Sequence, residues 1–264
     1  MHPDNVTAAH ISAFPAPDRP KRILLLGGTS DASQLAKRLA GRTGLTVISS
    51  LAGRVSQPNL PAGIVRIGGF GGVDGLTRYL VEERIDLVID ATHPFAAKIS
   101  GNAELASGAA NIPLLAFERP PWKQQPHDRW ISVPDVQSAA RLTNRKHNRV
   151  FLSIGRLELS AFSACEDAWF LVRAIDRPGD ALPANSKLML QRGPFNLHDE
   201  RQLLQNESIN MVVTKNSGGP ATYAKVEAAR ELQIPVVMID RPRKHNLPTA
   251  ERLDDILLRL AELL

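Results

Sequence analysis

From Lys21 onward the chain alternates short apolar runs with stretches of helical spacing. The first run, Ile23-Leu24-Leu25-Leu26, leads into Gly27-Gly28 and then into Ala32, Leu35, Ala36 and Leu39 at helical intervals. A four-residue run that is apolar on both faces reads as a strand buried in a parallel sheet, and the amphipathic stretch after it as the crossover helix. The same rhythm predicts strands at Leu45–Ile48, Ile64–Ile67, Leu87–Ile89 and Leu114–Phe117, with helices over Leu76–Glu82 and Phe95–Ser107. Proline and charged residues then cluster at Glu118–Asp128 and Asn144–Arg149, with a short helix expected between Asp135 and Leu142. Beyond them strands are predicted at Val150–Ile154, Trp169–Val172, Leu188–Leu190, Met211–Val213 and Val236–Ile239. Helices are expected near Leu197–Leu204 and Thr222–Leu232, and Leu253, Ile256, Leu257 and Leu260 share one face of a final helix.

This pattern predicts an α/β protein of two Rossmann-like parallel-sheet domains facing a central cleft. Residues 1–20 have no period and several prolines and are expected to be a flexible tail. The charged cluster near Asn144 is taken as the boundary between a first domain, 21–143, and a second, 144–264, that carries the terminal helix.

Composition narrows the class. With 264 residues, 43% hydrophobic and 22% charged, the chain has ample material for packed cores and is not a disordered polymer. No stretch approaches the roughly 18 apolar residues of a membrane span, and the first 20 residues carry Pro3, Asp4, Pro15, Pro17, Asp18 and Pro20 where a secretory segment would be apolar. The expectation is a cytoplasmic protein with no membrane partner. Cys165, the one cysteine, cannot form an internal disulfide or a thiolate cluster and is expected to be inert. The net charge of +5 favours acidic partners, but the cations are scattered and aromatics amount to 5%, so small anions fit better than nucleic acid.

In a doubly wound sheet, ligands bind beyond the carboxyl ends of the strands. After the first strand stand Gly27, Gly28, Thr29, Ser30 and Asp31: the glycines permit close backbone approach, and the helix N-terminus that follows offers N–H groups to a phosphate. The turn departs from the full G-x-G-x-x-G pattern, and a capped turn without ligand is its alternative. The second strand ends in Ser49-Ser50, with Arg54 nearby. A hydroxyl and an arginine there suit a 2′-phosphate, whereas an acidic residue would hold ribose hydroxyls. Gly68-Gly69-Phe70-Gly71-Gly72 follows the third strand, and Asp90-Ala91-Thr92-His93-Pro94-Phe95 the fourth. In the second half, Arg156, Arg173, Asp176, Arg192 and the run Lys215-Asn216-Ser217 all fall at strand ends. Singly each basic residue is an ordinary surface cation; together at one cleft they would receive several carboxylates. A phosphate loop of the G-x-x-x-x-G-K-[ST] type, an H-E-x-x-H zinc helix and a G-x-S-x-G elbow are all missing from the sequence.

In combination these turns resemble the precorrin-6A reductases of cobalamin (vitamin B12) biosynthesis. The resemblance rests on Gly27-Gly28-Thr29, Ser50 to Arg54, Gly68 to Gly72, Asp90 to Ala96, Arg119-Pro120-Pro121-Trp122, Gly193-Pro194-Phe195 and Val213 to Gly219, in that order. It implies NADPH-dependent reduction of a polycarboxylate tetrapyrrole, precorrin-6A to precorrin-6B, by hydride transfer to a ring carbon plus protonation, with no metal. Within that frame Gly27, Gly28, Thr29, Ser30, Asp31, Ser50, Arg54, Gly69 and Thr92 are expected to bind NADPH. Arg156, Arg173, Arg192, Lys215, Asn216 and Ser217 are expected to hold the substrate. Lys215, Asp176 and His93 are candidates for the proton donor. Transient contact with neighbouring pathway enzymes is a further expectation. The alternatives are the cobalt-precorrin-6A reductase of the anaerobic branch, a non-catalytic NADP-binding sensor, and a glycosyltransferase built from two facing α/β domains.

Overall fold

The computed structural model describes residues 19–53, 55–179, 182–244 and 249–263. Its first sheet opens with β1 (Lys21–Leu26), α1 (Ser30–Leu39), β2 (Leu45–Leu51) and β3 (Ile64–Ile67). It continues through α2 (Gly72–Glu82), β4 (Leu87–Asp90), α3 (Ala97–Ala110) and β5 (Leu114–Phe117). The chain then crosses to the far edge of a second sheet, forming β6 (Trp130–Val133) and α4 (Val136–Thr143). There follow β7 (Arg149–Ser153), a 3-10 segment Arg156–Phe162, β8 (Trp169–Ala174), β9 (Ser186–Leu190), α5 (Leu197–Asn206), β10 (Met211–Lys215), α6 (Ala224–Glu231) and β11 (Val236–Ile239). A second crossing returns to the first sheet with β12 (Thr249–Ala250) and α7 (Leu253–Leu263).

Each sheet has six parallel strands, ordered β12-β5-β4-β1-β2-β3 and β6-β11-β10-β7-β8-β9. The two orders are the same pattern, with β6 and β12 in equivalent edge places although one opens its half of the chain and the other closes it. Both strand orders therefore reverse, between β1 and β4 in the first sheet and between β7 and β10 in the second, and each reversal opens a crevice at the carboxyl edge.

The local chemistry explains the elements. Thr29 caps α1, its hydroxyl accepting from Ala32 N, with Asp31 in the first turn and Lys37 and Arg38 in the last, each on the favourable end of the helix dipole. Leu35, Ala36 and Leu39 of α1 pack with Ile23 and Leu25 of β1 and with Ala250, Ile256, Leu257 and Leu260 from the end of the chain. Full burial of such side chains stabilises by about 1.5–3 kcal/mol each. In the second half Val150, Leu152, Phe162 and Phe170 form the equivalent core.

Two expectations about organisation are corrected. The boundary near Asn144 is only the α4–β7 connection, because β6 pairs with β11 in the second sheet. The terminal helix belongs to the first unit, since β12 pairs with β5 and the apolar face of α7 completes the core around β1. The tail expected over 1–20 lies, apart from Arg19 and Pro20, outside the described residues. Cys165 is buried, and burial pushes its thiol up, in keeping with an inert side chain. Among the described residues no helix is long and apolar enough to cross a membrane.

Candidate active site

The glycine turn after β1 lies beside the turn after β4, because Leu26 and Asp90 are register partners. Gly28 takes φ +102°, and a Cβ there would meet nothing within 4 Å, so the turn faces open space through a backbone position that glycine alone occupies without strain. Ser30 is exposed at the start of α1, where the first N–H groups lack intrahelical partners. Thr29 donates its hydroxyl to the Ala91 carbonyl at 2.9 Å, joining the two turns.

The glycine loop after β3 is held by Arg66. Its guanidinium donates to the carbonyls of Gly68 at 2.6 Å and Gly69 at 2.7 Å, reaches Ser50 Oγ at 3.3 Å, and lies 3.8 Å from the centre of the Phe70 ring. A cation is thereby kept where β2 and β3 end.

At the second reversal, Lys215 closes β10. It is 8% exposed, ion-pairs with Glu158 of the 3-10 segment, and its ammonium lies 4.9 Å from the centre of the Phe95 ring. Phe95 comes from the turn after β4 yet packs against the core of the second sheet. The two carboxyl-edge crevices consequently meet at this point.

Among the described residues, four ion pairs frame the junction: Lys215–Glu158, Arg119–Asp31, Arg241–Glu118 at 3.3 Å and Lys244–Asp90 at 3.6 Å. Arg119 also donates to the Ser217 carbonyl at 2.8 Å, and Arg241 to those of Asn216 at 2.6 Å and Arg119 at 2.7 Å. Gly218 is required where these strands of chain cross, since with φ +67° its Cβ would stand 2.1 Å from the Pro120 carbonyl oxygen. On the opposite side the two units touch through Ser56, whose N–H and hydroxyl donate to Asp176 at 2.7 and 3.0 Å, and through Arg192, which donates to the Gln57 carbonyl at 2.8 Å. A cavity of about 490 Å³ opens there, lined by Ser56, Asn59, Ile175, Asp176, Leu190 and Arg192.

Comparison with known proteins places this architecture. The model of the precorrin-6x reductase CbiJ/CobK family matches residues 22–260. The chain belongs to that family. It is 48% identical over 235 residues to a precorrin-6A reductase of Rhodococcus erythropolis, covering 89% of this chain and 94% of that protein. To a precorrin-6A reductase of Mycobacterium tuberculosis it is 51% identical over 222 residues, 84% of this chain and 89% of the relative. The solved structure of a CobK precorrin-6A reductase superposes with a TM-score of 0.87 at 43% identity, over 92% of this chain and 97% of that one.

Within the family fold, several residues expected at the ligand have internal partners instead. Arg173 is buried in β8 and makes a two-pronged pair with Glu200 at 2.7 and 3.0 Å, so its guanidinium does not reach the cleft. Asn216 exchanges hydrogen bonds with the backbone of Trp122, and the Ser217 carbonyl accepts from Arg119; both hold the first crossing. Asp31 is neutralised by Arg119. The Thr92 hydroxyl donates to Asp90 at 2.6 Å. Gly27, Gly28, Ser30, Gly69, Arg156 and Arg192 remain at the strand ends as expected, and Arg54 lies outside the described residues.

Two of the three proton-donor candidates are unsuited to that role. Hydrogen bonds from Ser56, with Arg156 and Arg192 adding, hold the Asp176 carboxyl below its ordinary range, so it stays ionised. Burial, reinforced by Arg119, Lys215, Lys244 and Arg241, pulls His93 from its ordinary 6.5 to about 3, so the imidazole is neutral. Its Nδ1 accepts from Phe95 N at 3.2 Å. Because the unfolded chain binds the His93 proton below pH 6.5 and the folded chain does not until about 3, stability falls as pH drops through that window. His93→Asn keeps an acceptor for Phe95 N–H but cannot titrate. It should leave the thermal midpoint near its wild-type value at pH 7 and raise it at pH 4.5; equal acid sensitivity in the two proteins would refute the assignment.

Arg66, Glu158, Arg241 and Lys244 are not among the residues singled out from the sequence, and Arg119 is there only as part of the Arg119-Pro120-Pro121-Trp122 motif, without a site role. Arg119 and Arg241 each stand two residues beyond the last residue of β5 and β11, a strand-end position that could have marked them. Glu158 and Lys244 carry no such local signal.

Proposed function

We propose that this protein is a cytoplasmic precorrin-6A reductase that uses NADPH to reduce the metal-free macrocycle to precorrin-6B. The observation that carries the reading is the meeting of the two crevices at Phe95 and Lys215, which sets a phosphate-suited turn opposite a buried ammonium. The residues present fit a dinucleotide: Gly28 leaves open space before the α1 N-terminus, where backbone N–H groups suit a pyrophosphate. No carboxylate occupies residues 49–53, at and just beyond the end of β2, and Arg66 keeps a positive charge there, which favours a 2′-phosphate over bare ribose hydroxyls. Bound there, NADPH would supply the hydride.

The protein's own part is positioning and proton delivery. Lys215 is placed to give the proton that completes the two-electron reduction, and Glu158, with its side chain 35% exposed, connects that ammonium to solvent. Arg156 and Arg192 are left to neutralise carboxylates of the macrocycle. His93, neutral, acts as a fixed polar group of the turn.

Titration with NADPH and NADH, followed by addition of precorrin-6A, tests the reading. NADPH should bind more tightly than NADH and lose its absorbance only when substrate is present. Binding without turnover would instead support a sensor, turnover confined to the cobalt macrocycle would support the anaerobic activity, and no nicotinamide binding would overturn both. Gly28→Val should weaken NADPH at least about a hundredfold, since the side chain combines left-handed strain with obstruction of the turn.

A further inference from the structure

Lys244 and Asp90 form an ion pair in which both side chains are 0% exposed. Asp90 ends the central strand β4, one position from the ligand edge, and Lys244 arrives from the second crossing, far away in the chain. Among the described residues the ammonium donates to Thr92 Oγ1 at 3.2 Å and to the Thr92 carbonyl at 3.4 Å, and lies 3.6 Å from Asp90 Oδ2. These groups lie at the end of β4 and in the turn that follows it. Asp90 Oδ1 in turn accepts from Thr92 N at 2.9 Å and Thr92 Oγ1 at 2.6 Å. The same turn is tied to the glycine turn of β1, because Ala91 N donates to the Leu26 carbonyl at 3.0 Å and the Ala91 carbonyl accepts from Thr29.

We infer that Lys244 is a positioning residue for the dinucleotide: its buried ammonium sets the Asp90–Thr92 turn, and through Thr29 the open glycine turn against which the cofactor phosphates lie. A stability role alone would not need this arrangement. A buried pair gains little over an apolar pair of similar volume, so its placement at the ligand edge is better accounted for by the shape it imposes. Three residues before Lys244, Arg241 grips the first crossing and the turn after β10. Cofactor affinity is thereby made conditional on correct seating of the segment that joins the two sheets.

The inference rests on the NADPH reading of the glycine turn. The test uses the full chain and two measurements, the thermal midpoint and the NADPH dissociation constant from nucleotide fluorescence. Lys244→Met alone removes an ammonium from beside a buried carboxylate and should lower the midpoint sharply. Combining Lys244→Met with Asp90→Asn removes both charges, keeps the acceptor for Thr92, and should restore most of the midpoint while NADPH binds about tenfold to a hundredfold more weakly than to wild type. Combining Lys244→Gln with Asp90→Asn returns N–H donors to Thr92 without charge and should recover most of that affinity. Equal NADPH affinity in the two double variants, or wild-type affinity in the Met-containing one, would overturn the positioning role while leaving the NADPH reading intact. Absence of NADPH binding by the wild-type chain would overturn both.

Discussion

Lys215→Ala is expected to slow the reduction by roughly 10²–10⁴-fold, the usual contribution of a placed general acid, while NADPH affinity stays within about threefold of wild type. The ammonium stands at the end of β10, 8% exposed, beside Phe95 of the opposite unit, and is the proposed proton donor. Asp176 is committed as a carboxylate to Ser56, and His93 is neutral. Because Glu158 is part-exposed, loss of its partner should cost little stability. The decisive measurement is a single-turnover absorbance trace with substrate already bound. An unchanged rate would remove Lys215 from the chemistry and leave it a carboxylate contact.

Arg173→Met is expected to destabilise the fold by about 3–5 kcal/mol, because it strands the Glu200 carboxylate in a site where its side chain is 2% exposed. The guanidinium is also held between Phe195, 4.0 Å from its carbon, and Phe151 at 4.6 Å, so packing is lost with charge. Replacing Glu200 by Met as well should recover most of the loss. Urea unfolding of the three variants reads the cycle. Turnover per folded molecule with Arg173→Met should remain near wild type; a selective rise in KM for the macrocycle would return Arg173 to the substrate and contradict its place in the core.

The fate of Arg173 illustrates how far the sequence could be read. Arg156, Arg173 and Arg192 look alike in sequence, each near the end of an apolar run. The difference lies in Glu200, 27 residues further on in α5, which brings a buried carboxylate to the back of β8. Asn216 and Ser217 were legible as a turn of interest, but not that they clasp Trp122 and Arg119, 94 and 98 residues earlier. β6 escaped notice because its Ile131 and Ser132 are exposed at an edge, so the run has no continuous apolar core to announce it.

By itself the sequence determined the alternation of buried strands and amphipathic helices, the parallel sheets they require, and the concentration of glycines and cations at strand ends. Those follow from side-chain period and turn chemistry, which act over a few residues. Only the tertiary structure decided that β6 and β12 cross between the sheets, and which cations face the cleft and which are consumed by carboxylates. Such choices depend on partners separated by 88 residues for Arg119 and Asp31 and by 152 for Lys244 and Thr92, distances over which local pattern carries no information.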